Sequence, residues 1–177
     1  MAALGPRVCI QHRDPGVPVR TSLARARWLA GLTRSGGAQL AINGRLDGAL
    51  LVEAHLHLPV DAPRPREVRS RLPPGRWISA AVHSGAELEE ARGADALLVS
   101  PVHPPGSKPG DTRPTLGTAG FDRLARAAAT TPCYALGGMT PEAVEELPLL
   151  WGVAVQSAVL RAPDPAAAAR AFLAVLR

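Results

Sequence analysis

Residues 133–147 read CYALGGMTPEAVEEL, and this one stretch holds a complete β-strand to α-helix unit. The run CYAL is short, apolar and rich in β-formers, as a strand buried on both faces requires. Gly137 and Gly138 follow it directly. Then Thr140 offers a capping hydroxyl, Pro141 suits the first helical position, and Glu142 puts an acid in the first turn. Asp164-Pro165 repeats the same start signal further on.

Working outward, the same alternation of short apolar runs with longer Ala/Arg/Leu/Glu segments recurs along the chain, and seven βα units are expected. The strands are expected at 7–11, 39–42, 55–58, 77–82, 96–99, 133–136 and 152–156. The helices are expected near 22–34, 46–53, 65–71, 85–92, 119–129, 141–147 and 164–176. Units of this kind suit either an open doubly wound sheet or a TIM-type (β/α)8 barrel lacking one strand, and spacing alone does not choose between them. The stretch 100–117, SPVHPPGSKPGDTRPTLG, is too polar and too rich in Pro and Gly for a core element, so it reads as a long loop after a strand.

The chain has 177 residues, of which 46% are hydrophobic, enough for one domain with one sizeable core. Its formal net charge of +5 comes almost wholly from dispersed arginine, with Lys108 the single lysine. No basic run with interleaved aromatics is present, so the balance does not single out nucleic acid, and anionic small molecules explain it as well; no nucleic-acid partner is expected. Cys9 and Cys133 have neither CxxC nor Cys/His metal spacing, and no disulfide is expected. No leader-like start and no apolar run of about eighteen residues is found. A cytoplasmic protein with no membrane partner is the expectation.

Chemistry-bearing residues gather where strands give way to loops, the face on which parallel α/β folds build their sites. The glycine pair lets backbone N–H groups approach an anion near a helix start; an ordinary turn needing positive φ explains it equally well. Gln156-Ser157-Ala158, at the end of the last expected strand, adds a hydroxyl and further amides. Together the two match the arrangement in which the last two βα loops of a barrel hold a phosphate. Ser107 and Lys108 lie in the long loop, where an ammonium on a long stem suits closing over a phosphate or diphosphate. His55 and His57 share one strand face, with no carboxylate or cysteine completing a metal set. His83 and His103 are each placed to shuttle a proton, although a hydrogen-bonded structural histidine is the blander reading of either alone.

In order and spacing, seven segments resemble the thiamine phosphate synthase family with its thiazole tautomerase (TenI-like) branch: IQHRD from Ile10, LAINGRLDGAL from Leu40, HLHLPVDA from His55, AAVHS from Ala80, SPVHPPGSKP from Ser100, ALGGMT from Ala135 and VAVQSAVL from Val153. The resemblance covers almost the whole chain and implies a (β/α) barrel enzyme of thiamine biosynthesis acting on thiazole phosphate. It implies that this phosphate is held by Gly137, Gly138, Gln156 and Ser157. It further implies a second half for the pyrimidine diphosphate and its magnesium, to which Gln11, Arg13, Asn43, Ser107 and Lys108 correspond. In that half Pro15 stands where the family has Lys, Gly44 where it has a metal-binding Asp, and Ala81 where it has Ser; the nearest acid after His57 is Asp61, one residue early. Asp61 is thus the one candidate metal ligand, and Mg2+ is expected only if the chain is active as a synthase.

Those departures matter because loss of diphosphate leans on magnesium and lysine to neutralise the leaving charge. A tautomerase needs only a phosphate grip and an acid/base group. His103 lies in the loop where the tautomerase branch carries its histidine, two residues later in register, so His103 and Lys108 are the candidate catalytic residues. Three readings follow: synthase-type coupling or thiazole tautomerisation, a non-catalytic binder of phosphorylated thiazole or thiamine phosphate, and a barrel using its phosphate site for an unrelated sugar phosphate. In the family a further strand precedes the Gln-x-Arg segment, whereas ten residues precede Gln11 here. Either the reading frame starts upstream, or seven strands leave a gap that a homodimer partner or a bent neighbouring element covers.

Overall fold

The computed structural model describes residues 5–104 and 114–176. Seven parallel strands are hydrogen-bonded to their neighbours in chain order, β1 (Cys9–His12), β2 (Gln39–Asn43), β3 (His55–Leu58), β4 (Ile78–Val82), β5 (Ala96–Val99), β6 (Cys133–Leu136) and β7 (Gly152–Ala154). A doubly wound sheet reverses its strand order part-way, and this one does not. The uninterrupted order is that of a (β/α) barrel.

The helices are α1 (Val19–Gly36), α2 (Leu46–Val52), α3 (Pro65–Val68), α4 (Gly85–Glu90), α5 (Gly117–Ala127), α6 (Pro141–Glu145), α7 (Ser157–Leu160) and α8 (Pro165–Val175). The chain divides into two compact units, Met1–Ser79 and Ala80–Arg177, with the break inside β4.

In the first unit, α1 buries Ala26, Ala30 and Thr33, spaced to fall on one stripe of the helix. Thr33 satisfies its buried hydroxyl by donating to the Leu29 carbonyl at 3.0 Å. All four residues of β3 are buried, the pattern of a parallel strand covered on both faces. In the second unit, α5 buries Phe121, Leu124 and Ala125. Thr140 caps α6 by accepting from the Ala143 N–H at 3.3 Å, and Asp164 caps α8 by accepting from Ala166 and Ala167, both at 2.9 Å.

Several expected boundaries move. β1 lies at Cys9–His12 and not at 7–11, and α1 starts at Val19, three residues early, because Pro18 just ahead of it has a backbone N that needs no partner. The helix expected at 65–71 is four α-helical residues followed by a 3₁₀ turn, Arg69–Arg71. The strand expected at 152–156 stops at Ala154; Gln156 is the N-cap of α7, a four-residue helix not foreseen from the sequence, and Ser157 is its first residue. Among the described residues no helix is long and apolar enough to cross a membrane.

Candidate functional site

Register and alternation place a polar row on one face of the first unit. Ile42 faces α2, its Cγ2 lying 3.4 Å from a Cβ built on Gly48, so Ala41 and Asn43 face the other way. Gln11 pairs with Ala41, and Asn43 pairs with His57. His57 Nδ1 lies 2.8 Å from Ser79 Oγ. Gln11, Asn43, His57 and Ser79 therefore share the face turned from the helices. Arg13 follows Gln11 by two residues, and its positive charge reaches His57. Burial first, and the Arg13 guanidinium second, push the His57 imidazole down to about 4.

His55 is committed elsewhere. Its ring stacks on Trp77 with centroids 4.2 Å apart, and its Nδ1 accepts the Trp77 backbone N–H at 3.1 Å. The His55/His57 pair is thus split between two different partners.

Gly44, at the position corresponding to the family's metal-binding Asp, has φ +69, and a Cβ there would meet the Pro59 ring at 3.6 Å. A carboxylate side chain at this position is strained by the left-handed backbone. The nearby Asp47 is engaged by Arg45, which donates to both its oxygens at 2.9 and 2.5 Å, and its carboxyl is held down at about 2 chiefly by that bond. Asp61 is exposed, and among the described residues no three His, Cys, Asp or Glu side chains come together as a metal site. Gly44 and the Arg45-engaged Asp47 thus offer a magnesium ion no free carboxylate.

In the second unit, Ala135 pairs with Val153 and Leu136 with Ala154, which sets the loops after β6 and β7 side by side. Gly137 and Gly138 have φ +99 and +60. The segment after β5 lies on them: the Val102 N–H donates to the Leu136 carbonyl at 2.9 Å, and the His103 N–H to that of Gly137 at 3.0 Å. A Cβ on Gly137 would stand 2.9 Å from Pro101 Cα, and one on Gly138 would stand 2.6 Å from His103 Cβ. The glycine pair is required by this close approach of backbone, a reason that the sequence did not disclose. His103 is thereby seated on the pair, and its Nε2 is buried with no hydrogen-bond partner among the described residues. The side chains of Gln156 and Ser157 likewise make no hydrogen bond among the described residues. Ser107 and Lys108 lie outside the described residues.

The sequence profile described as thiamine monophosphate synthase matches residues 1–159. The chain belongs to this family. It is 38% identical to a putative thiamine-phosphate synthase of Geobacter sulfurreducens, over 95% of this chain and 80% of that protein. It is also 38% identical to the thiamine-phosphate synthase of Methanoculleus marisnigri, over 97% of this chain and 83% of the relative. Among solved structures, thiamine phosphate pyrophosphorylase from Pyrococcus furiosus superposes with a TM-score of 0.83 at 28% identity, covering 98% of this chain and 85% of that one. The fold is therefore the family's TIM-type (β/α) barrel, with seven strands read here, and membership of the thiamine monophosphate synthase family places the chain among enzymes of thiamine biosynthesis.

Ser79 was missed by sequence reasoning, which looked for a serine at position 81 and found Ala81. The signal was available, since 79 and 81 share one strand face by the period of two.

Two outcomes follow. The fold keeps His57 neutral, whereas the unfolded chain protonates it below about pH 6.5; its contribution is complete above that pH and drains as pH falls to about 4. The loss is on the order of 3 kcal/mol, read as the difference in urea unfolding between pH 7 and 4 that shrinks in His57→Gln. Gly138→Ala should displace His103 and lower thiazole phosphate affinity at least about tenfold, on the order of 1.4 kcal/mol, by titration calorimetry; unchanged affinity would detach the pair from the ligand.

Proposed function

We propose that this member of the family binds a phosphorylated thiazole in its second unit and moves a proton on it without a metal. The observation that carries the reading is His103, an imidazole seated against the Gly137-Gly138 turn with its Nε2 buried and unpartnered among the described residues. Gly137 and Gly138 hold the phosphate through backbone N–H groups, joined by the Ser157 hydroxyl and the Gln156 side chain. With the phosphate fixed, the His103 imidazole works on a substrate that cannot rotate away, and the water-poor setting of Nε2 favours direct transfer. Lys108, together with Ser107, belongs to the same reading as a cation for the bound anion.

The test is exchange of a carbon-bound proton of thiazole phosphate in deuterium oxide, followed by NMR. His103→Gln should slow exchange by about a hundredfold or more. Its Kd should stay within about threefold of the parent. Exchange at the parental rate in His103→Gln would sink the assignment. Tight binding with no exchange in the parent would leave a non-catalytic binder.

A second reading, synthase-type coupling of a pyrimidine diphosphate to the thiazole, is supported by the names of the relatives. Gln11, Arg13 and Asn43, with Asp61, would face that substrate, and Mg2+ would be its cofactor. Against it stand the left-handed backbone at Gly44, which disfavours a side chain there, and the Arg45-bound Asp47.

A further inference from the structure

Within the second unit a second imidazole is held more firmly than packing alone requires. His83 directly follows β4, at the strand end where a parallel α/β fold keeps its chemistry. Its backbone N–H donates to Glu87 Oε2 at 2.5 Å, and Ser84, the N-cap of α4, accepts from the Glu87 N–H at 3.2 Å. Its ring Nδ1 lies 2.7 Å from the Ser100 carbonyl and 3.2 Å from Ser100 Oγ. A carbonyl oxygen only accepts, so Nδ1 carries the proton and the Nε2 lone pair is left unprotonated in the neutral ring. Nε2 has no hydrogen-bond partner among the described residues. Holding Nδ1–H on a backbone carbonyl is how a histidine is oriented when its other nitrogen has work to do.

Ser100 is also the first residue of the segment that carries His103 onto the glycine pair. Both imidazoles are thus fixed through one stretch of four residues, 100–103. A proton moved between two carbons can be removed by one group and returned by another, and two imidazoles fixed by one short segment suit that division.

We propose that His83 is the catalytic base partnering His103, a deepening that rests on the function proposed above. The His83 Nε2 lone pair takes a proton from carbon. The C–H bonding pair moves into the conjugated ring, the double bonds shift, and the carbon at the far end takes a proton from the protonated His103 Nε2. The ligand is isomerised with no net change in composition. His83 ends protonated and His103 neutral, and exchange with water resets them.

The test is the same deuterium exchange and thiazole phosphate titration applied to His83→Asn, whose side-chain amide still donates to the Ser100 carbonyl but has no basic nitrogen, and to His83→Ala with added imidazole. Exchange in His83→Asn should fall by about a hundredfold or more. Its Kd should stay within about twofold of the parent. Imidazole should restore part of the rate to His83→Ala and none to His83→Asn, whose side chain fills the space. Exchange in His83→Asn within about threefold of the parent overturns the proposal while leaving His103 in place. So does joint loss of binding and exchange in both variants with no rescue, which marks His83 as structural. If the parent itself fails to exchange, the proposed function falls first and this inference with it, a result distinguishable from failure of His83 alone.

Discussion

The close seating of the segment after β5 on the Gly137-Gly138 turn is the contact on which the candidate chemistry of the second unit depends. Two backbone hydrogen bonds hold it, from Val102 to Leu136 and from His103 to Gly137, and two missing Cβ atoms make room for it. A side chain on either glycine would need space that backbone atoms already fill. The turn therefore fixes His103 against the end of β6. Ser100, at the head of the same segment, fixes His83.

The first unit is organised differently. Its polar row of Gln11, Asn43, His57 and Ser79 is laid down by strand register, and its buried imidazole, His57, is kept neutral by burial and the Arg13 charge. A neutral imidazole beside a serine hydroxyl supplies hydrogen bonds and no charge with which to hold a metal-bound diphosphate. Where the family places a carboxylate, the backbone adopts φ +69 at Gly44, and the closest acid in sequence is engaged by Arg45. The departures seen in the sequence are thus accompanied by local structure that makes them hard to reverse by single substitution.

Much of this was legible in the sequence, for a physical reason. Strands of a parallel sheet are short and mostly apolar, and that composition marked all seven approximately, with β3, β5 and β6 at their observed limits. Caps are local, so Thr140 and Asp164 declared themselves as well. Other features were not legible because they depend on residues far apart in the chain. The glycine pair read as an anion turn, but its packing against Pro101 and His103 depends on where β5 leads the chain. The partners of His55, His57 and His83 lie 17 to 22 residues away in sequence, so periodicity assigned faces but not hydrogen bonds. Strand ends were the weakest point, as β7 stopping at Ala154 and α7 starting at Ser157 illustrate.

On the function proposed above, this chain keeps the thiazole phosphate half of its family's site and works without the metal-diphosphate half. Turnover of hydroxymethylpyrimidine diphosphate with thiazole phosphate, with and without magnesium, followed as thiamine phosphate by fluorescence after oxidation and paired with calorimetric titration of thiazole phosphate, tests it most directly. Thiazole phosphate should bind, and no thiamine phosphate should form at any magnesium concentration. Magnesium-dependent formation of thiamine phosphate would contradict it and would return Asp61 to the role of metal ligand.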